Sequence, residues 1–294
     1  MTATVSNHPI SLSIERPALY VVATPIGNLG DISYRTVELL KRIDLLLVED
    51  TRVTIRLLQR YSITSRSIAM HEHNEGDLLH TVIQDLVAEN LAVALLSDAG
   101  TPLISDPGFR LVRAAHEHGV PVRAVPGPCA AVAALSVAGI PSDRFVFEGF
   151  LPARKAARGR RLQSLVTEPR TLIFYEAPHR ILATMADLCE IFGHAREVAV
   201  ARELTKLHET LYRGSLSSVA VAMNADPNAV RGEIVIVVAG APERDTSEDE
   251  RRAMEMIKVL SCHLPRGDAV RIAAELTGLK RNHLYRLAHN NGNG

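Results

Sequence analysis

Residues with chemistry to offer gather in a few short polar stretches, each behind an apolar run. The densest is Ser97-Asp98-Ala99-Gly100-Thr101-Pro102-Leu103-Ile104-Ser105-Asp106-Pro107-Gly108, where two Ser-Asp-x-Gly turns stand eight positions apart. Glycine lets a backbone approach a ligand closely, and Asp or Ser side chains cap turns or bind hydroxyls. A capped surface turn accounts for one such motif, but two in tandem behind a buried strand point to a ligand loop. Thr24-Pro25-Ile26-Gly27-Asn28-Leu29-Gly30 is a second glycine loop, and Pro126-Gly127-Pro128-Cys129-Ala130 a third that opens an Ala-rich helix. Their spacing is neither GxGxxG nor GK[ST], which argues against a dinucleotide or nucleoside triphosphate site.

Charged groups follow the same layout. Glu49-Asp50-Thr51-Arg52 sets two carboxylates beside a guanidinium, although Asp50 or Thr51 could equally cap a helix. His71 and His73 lie two apart with no third ligand nearby, so a polar, substrate-facing loop reads better than a metal site. Arg202, Glu203 and Lys206 end a strand, as a site cluster or as a structural ion pair. Arg154, Lys155, Arg158, Arg160 and Arg161 put five cations into eight positions, a solvated helix face or a phosphate contact.

The elements that must position these groups are legible from the apolar runs. Residues 18–23, 43–48, 67–70, 91–96 and 122–125 read as strands ending in polar loops, with helical patterns between them. That is the layout of a doubly wound parallel sheet with one composite pocket at its carboxyl edge. Residues 145–149, 171–175, 197–201 and the β-branched run 232–238 predict a second α/β layer, the last as a central strand. The organisation expected is a loose tail over 1–16, an N-terminal α/β domain over 17–139 and a second over 140–241. A linker and a helix-turn-helix-like module follow over 242–294, with Lys280 and Arg281 on its last helix.

Bulk composition narrows the class. The 294 residues are 47% hydrophobic and 22% charged, with a formal net charge of zero, which describes an ordinary globular protein. Three scattered cysteines without CxxC predict neither a disulfide framework nor a zinc site, and no metal is expected. No leader pattern or membrane span is visible, so the expected location is the cytoplasm. Zero net charge leaves RNA open as a partner, because a local basic patch suffices for phosphate.

Seven motifs in order carry a family resemblance. They are Ala23 to Asp31, Glu49 to Arg52, His71 to Glu75, Ser97 to Gly108, Val125 to Pro128, Phe174-Tyr175-Glu176-Ala177-Pro178-His179-Arg180, and Ala201 to Lys206. Together they resemble the ribosomal RNA small-subunit methyltransferase I family of the tetrapyrrole-methylase superfamily. The resemblance implies two α/β domains with S-adenosylmethionine between them, a homodimer, and 2′-O-methylation of a decoding-region cytidine in 16S rRNA on the small ribosomal subunit. Superfamily members carry Gly-Asp-Pro at the cofactor-contacting stretch that matches Gly100-Thr101-Pro102. The cofactor set implied is Thr24, Pro25, Gly27, Ser97, Asp98, Ala99, Gly100, Thr101, Pro102, Ile104, Ser105, Asp106, Pro126, Gly127, Cys129, Ala130, Tyr175 and Glu176. Candidates for catalysis are Asp50, Glu49, His73, Arg202, Glu203 and Lys206; those for RNA are Arg52, the 154–161 cluster, Lys280 and Arg281. The competing readings keep the fold but methylate a tetrapyrrole or a modified protein side chain, or make the protein a non-catalytic RNA binder.

Overall fold

Uncharged runs of Leu, Val and Ala form strands that are buried on both faces. The computed structural model describes residues 13–71, 74–242 and 247–290. In it β1 (Ala18–Val22), β2 (Leu45–Val48), β3 (Arg66–Ala69), β4 (Ala92–Leu96) and β5 (Val122–Val125) make a parallel sheet ordered β3-β2-β4-β1-β5. Side chains alternate across it. Leu46, Val48, Ala94 and Leu96 pack with Leu39 and Leu40 of α1 (Tyr34–Leu40) and Leu58 of α2 (Thr51–Arg60). Leu45, Leu47, Val93 and Leu95 meet Ile83 and Leu86 of α3 (Glu75–Ala88) and Leu111 of α4 (Phe109–Glu117). Each buried Val, Leu or Ile side chain contributes about 1.5–3 kcal/mol, and helices on both faces are what a parallel sheet requires. Because β1 and β4 are neighbours, their outgoing loops meet, and Thr24 and Gly100 form a backbone bridge.

The second sheet is mixed. β6 (Phe145–Phe150), β7 (Thr171–Glu176), β8 (Glu197–Arg202), β9 (Thr210–Ser215) and β10 (Ile234–Val238) take the order β6-β7-β10-β8-β9. Only β6 and β7 run parallel; β10 lies in the centre, as its β-branched run predicts, antiparallel to β7 and β8. β9 is an edge strand that leads into α8 (Leu216–Ala225). Its residues alternate between half-buried and exposed along most of its length, so it carries no apolar run. α6 (Lys155–Leu165) and α7 (Ile181–Phe192) cover one face.

Helix α5 (Ala130–Ala138) follows the first sheet in sequence but packs on the second. Its Ala131, Ala134 and Ala138 lie against Ile173, Ala199, Val235 and Val237, small side chains that allow a close approach. The two sheets thus share α5, and residues through Gly240 form one compact unit. A second unit starts at Ala241 and holds α9 (Ser247–Leu260), α10 (Arg266–Thr277) and α11 (Arg281–Asn290). Ala253, Ile257, Val270, Ala273 and Leu284 are its core. No helix among the described residues is long and apolar enough to cross a membrane.

Candidate active site: a cavity and a groove that meet at Glu233

The carboxyl edge of the first sheet faces the edge of the second where β7 and β8 end. Between them lies a cavity of about 380 Å³, walled by Ile26, Ile104, Phe150, Ile234 and Val235 and by Ala99, Gly100 and Thr101. The 97–108 loop reaches it through an unusual backbone: Gly100, Leu103, Ser105 and Gly108 all have positive φ. Left-handed Leu and Ser are costly and persist only where surroundings enforce them. One enforcing contact is the Thr101 hydroxyl, which donates to Pro128 O at 2.9 Å and ties this loop to the one before α5. Thr101 is thus a strut between loops. Tyr175 closes another wall: its Oη accepts from Ala131 N at 3.2 Å, and its ring meets Phe147 and Phe150 edge-on. Burial and the neighbouring Cys129 hold its hydroxyl protonated.

Asp106 is the ionisable group whose environment stands out in this cavity. Burial, then the nearby Glu49 and Asp98 carboxylates, push it up to about 6. Burial raises Glu49 and Asp98 as well. These two acids brace neighbouring strand ends: Asp98 Oδ1 accepts from Asp50 N at 3.0 Å, and Glu49 Oε2 from Asp98 N at 3.4 Å.

A second space of about 390 Å³, a groove, adjoins the cavity. Thr24, Pro25, Gly27, Ser97 and Asp98, expected around the cofactor, line this groove and not the cavity. Ala99, Gly100, Thr101, Ile104, Ser105, Asp106, Cys129, Ala130, Tyr175 and Glu176 do line the cavity. Pro102, Pro126 and Gly127 line neither; Gly127 lies flat on Ala23, where a Cβ would come within 2.9 Å. Ile26, Ala99 and Glu233 belong to both spaces, and Glu233 is the one ionisable side chain at that junction.

Neither Glu233 nor Gly232 was anticipated from the sequence. A search for polar residues after strands misses them, because β10 runs against β7 and β8 and presents its amino end at the site. Gly232 (φ +78°) sits so close to Glu203 that a Cβ would lie 2.3 Å from its carboxyl carbon. Glu203 is itself left-handed (φ +54°) and accepts from Glu233 N at 2.9 Å. Lys206 Nζ bridges Glu203 at 2.8 Å and Glu233 at 3.3 Å. The Lys206 stem lies where Gly27 would carry a Cβ, so that glycine admits the second sheet's loop into the first sheet's.

Geometry gives several of the expected residues contacts of their own. Asp50 caps α2 and holds the Arg52 guanidinium at 2.6 Å, which lowers its carboxyl to about 2 and leaves it a weak base. Glu203 is likewise lowered: despite partial burial, Lys206 and a backbone N–H stabilise its charge. Arg202 is buried and donates to His208 O and Thr210 Oγ1, so it fastens β9 and stands back from the site. The Glu176 carboxylate is consumed by Ala177 N, Thr184 Oγ1 and Arg180. Arg158 leaves the basic cluster: it is 4% exposed and pairs with Asp187 at 2.7 Å. Arg161 binds Glu148, while Arg154, Lys155 and Arg160 are exposed. Lys280 and Arg281 are exposed at the start of α11. His73 lies outside the described residues.

Comparison with known proteins decides the family. Residues 18–220 match the tetrapyrrole (corrin/porphyrin) methylase model, and residues 246–292 the RsmI C-terminal HTH domain. The chain is 50% identical over 269 residues to the ribosomal RNA small subunit methyltransferase I of Xylella fastidiosa, covering 91% of this chain and 97% of the relative. It is also 50% identical over 272 residues to that of Pseudomonas aeruginosa, covering 92% and 96%. The chain belongs to this family. As a member of the ribosomal RNA small subunit methyltransferase I family it is a methyltransferase. The fold is shared with uroporphyrin-III C-methyltransferase from Thermus thermophilus complexed with S-adenyl homocysteine (TM-score 0.53, 18% identity, 76% of this chain and 97% of that one). At that identity only the fold carries over.

Proposed function

We propose that the protein methylates the ribose 2′-hydroxyl of a decoding-region cytidine in 16S rRNA, cytidine 1402, using S-adenosylmethionine and acting as a homodimer on the small ribosomal subunit. The observation that carries this reading is an apolar-walled cavity adjoining a more polar groove, with Glu233 lining both, in a chain of a methyltransferase family. Transfer between two bound molecules needs two compartments that touch.

The cavity's residues fit the cofactor. Ile26, Ile104, Phe150 and Val235 offer the apolar faces an adenine ring needs. Ser105 adds a hydroxyl-bearing side chain to the lining, and the desolvated Asp106 gains from a positive charge nearby. When bound, the cofactor supplies an electrophilic methyl carbon. The protein's share of the chemistry is then alignment and a proton acceptor, since a ribose hydroxyl is a poor nucleophile. In this reading Glu233, at the junction, takes the hydroxyl proton on its carboxylate. Lys206 orients that carboxylate and offers positive charge to the developing alkoxide.

The test is transfer of tritiated methyl from S-adenosylmethionine into small ribosomal subunits from cells lacking the gene, followed by mapping of 2′-O-methylated positions. Label at the one cytidine ribose supports the reading. Label in a base, at another position, or only in a porphyrinoid or protein substrate overturns it.

A further inference from the structure

The sequence of α2 repeats arginine every fourth residue, at Arg52, Arg56 and Arg60. Residues four apart share a helix face, so the three arginines follow one another about 6 Å apart along α2. Arg52 is tied to Asp50, whereas Arg56 and Arg60 form no ion pair among the described residues. Arg56 lines the groove that adjoins the cofactor cavity. Arg60 lines the open hollow that continues from it past Gly27 and Lys206. The row therefore leads from solvent to the mouth of the groove.

Charge within the groove is segregated. Arg56 is exposed at its rim and Lys206 is held by Glu203 and Glu233, which leaves the half-buried Asp98 as its inner carboxylate. Thr54 is 5% exposed, lines the same groove, and its Oγ1 has no hydrogen-bond partner. A buried hydroxyl without a partner costs about 1–3 kcal/mol, a loss that a ligand able to bond it would recover. An anion is repelled by the carboxylates and drawn to the arginines. A group rich in N–H donors is drawn to Asp98 and to Thr54, which leaves Glu233 to the ribose. A nucleotide has both ends: phosphate outside, base inside. Carboxylates accept from the exocyclic amine of cytosine, which uracil lacks.

We propose that the groove bounded by Thr54, Asp98 and Glu233 receives one unstacked nucleotide bearing an exocyclic amine, and that Arg56 and Arg60 of α2 carry the phosphates of the single strand that delivers it. This rests on the reading of the protein as an RNA methyltransferase and assigns its acceptor pocket and strand path. Neither arginine belongs to the basic cluster of α6.

The test uses the full chain and a short fluorescein-labelled single-stranded RNA, either all uridine or with one central cytidine. Binding is read by anisotropy over a salt series. A single-strand phosphate contact contributes about 0.7 to the slope of log affinity against log salt, so Arg56→Gln/Arg60→Gln should lower the slope by about 1.4. Thr54→Val should leave the slope alone and lose most of the preference for the cytidine strand. Calorimetric binding of S-adenosylmethionine and the melting temperature report whether each variant is folded. An unchanged slope in the double variant, or an unchanged cytidine preference in Thr54→Val, overturns the assignment. So does loss of ribosomal-subunit binding with oligonucleotide binding intact, because α2 would then be docking on protein. If the unaltered protein labels rRNA but its variants bind as it does, only the groove is misassigned. If it neither binds RNA nor labels rRNA, the proposed function itself fails.

Discussion

Replacing Asp106 by Asn tests whether the cavity is built around a desolvated carboxylate. Asp106 moves from 3.8 to about 6, chiefly through burial and then through Glu49. A carboxyl raised on folding binds more protons in the native state than in the unfolded chain. Its ionisation therefore costs stability, progressively as pH rises from about 4 to about 6, and the cost stays constant above that. A shift of roughly two units corresponds to about 3 kcal/mol, and because the side chain keeps some solvent contact the effective cost is nearer 1–2 kcal/mol. Asp106→Asn removes the charge while nearly keeping the shape. At pH 7.5 the variant should melt about 3–6 °C above the parent, and the gap should close by pH 4. Cofactor affinity should move the other way, because the carboxylate that a cation would stabilise is gone. In the parent, binding a cationic cofactor near pH 6 should release a proton, read as a calorimetric heat that varies with the buffer. Differential scanning from pH 4 to 8 decides the stability argument. A variant that melts below the parent at pH 7.5, or a gap independent of pH, would refute it.

Other expectations follow from particular contacts. Arg158→Ala strands Asp187 as a buried unpaired charge and should lower stability by about 3–5 kcal/mol in denaturant unfolding, whereas the paired change Arg158→Met/Asp187→Leu should recover most of it. Thr101→Val cuts the strut to Pro128 O and should cost about 1 kcal/mol in stability, with several-fold weaker cofactor binding by calorimetry. Gly232→Ala drives a Cβ into the Glu203 carboxyl at a positive φ. That should displace Glu203 and Lys206 and cut the single-turnover methylation rate at least about tenfold, with a stability loss above about 1 kcal/mol.

Much of this protein can be read along the chain, because period and turn chemistry are local properties. Continuous apolar runs at 45–48 and 92–96 specify strands buried on both faces, and hence a parallel sheet with ligand loops at its carboxyl edge. The tandem turns at 97–108 mark the cavity for the same reason, since close backbone approach needs those residue types wherever the loop sits. Motif order also carries the family, whose members are methyltransferases. Pairings across the fold are not local, and there the sequence stops. Arg158 looks like its basic neighbours until Asp187, 29 positions away, draws it inside. Asp50 reads as a possible base or a possible cap, and only Arg52's placement makes it the cap. Glu233 precedes a strand, the wrong end by the usual rule, and becomes central because β10 runs against its neighbours. The chain's own pattern determined the elements and the loops that could hold ligands. The tertiary structure decided which charges survive burial unpaired and which strand ends meet, because both depend on distances in space that no spacing along the chain encodes.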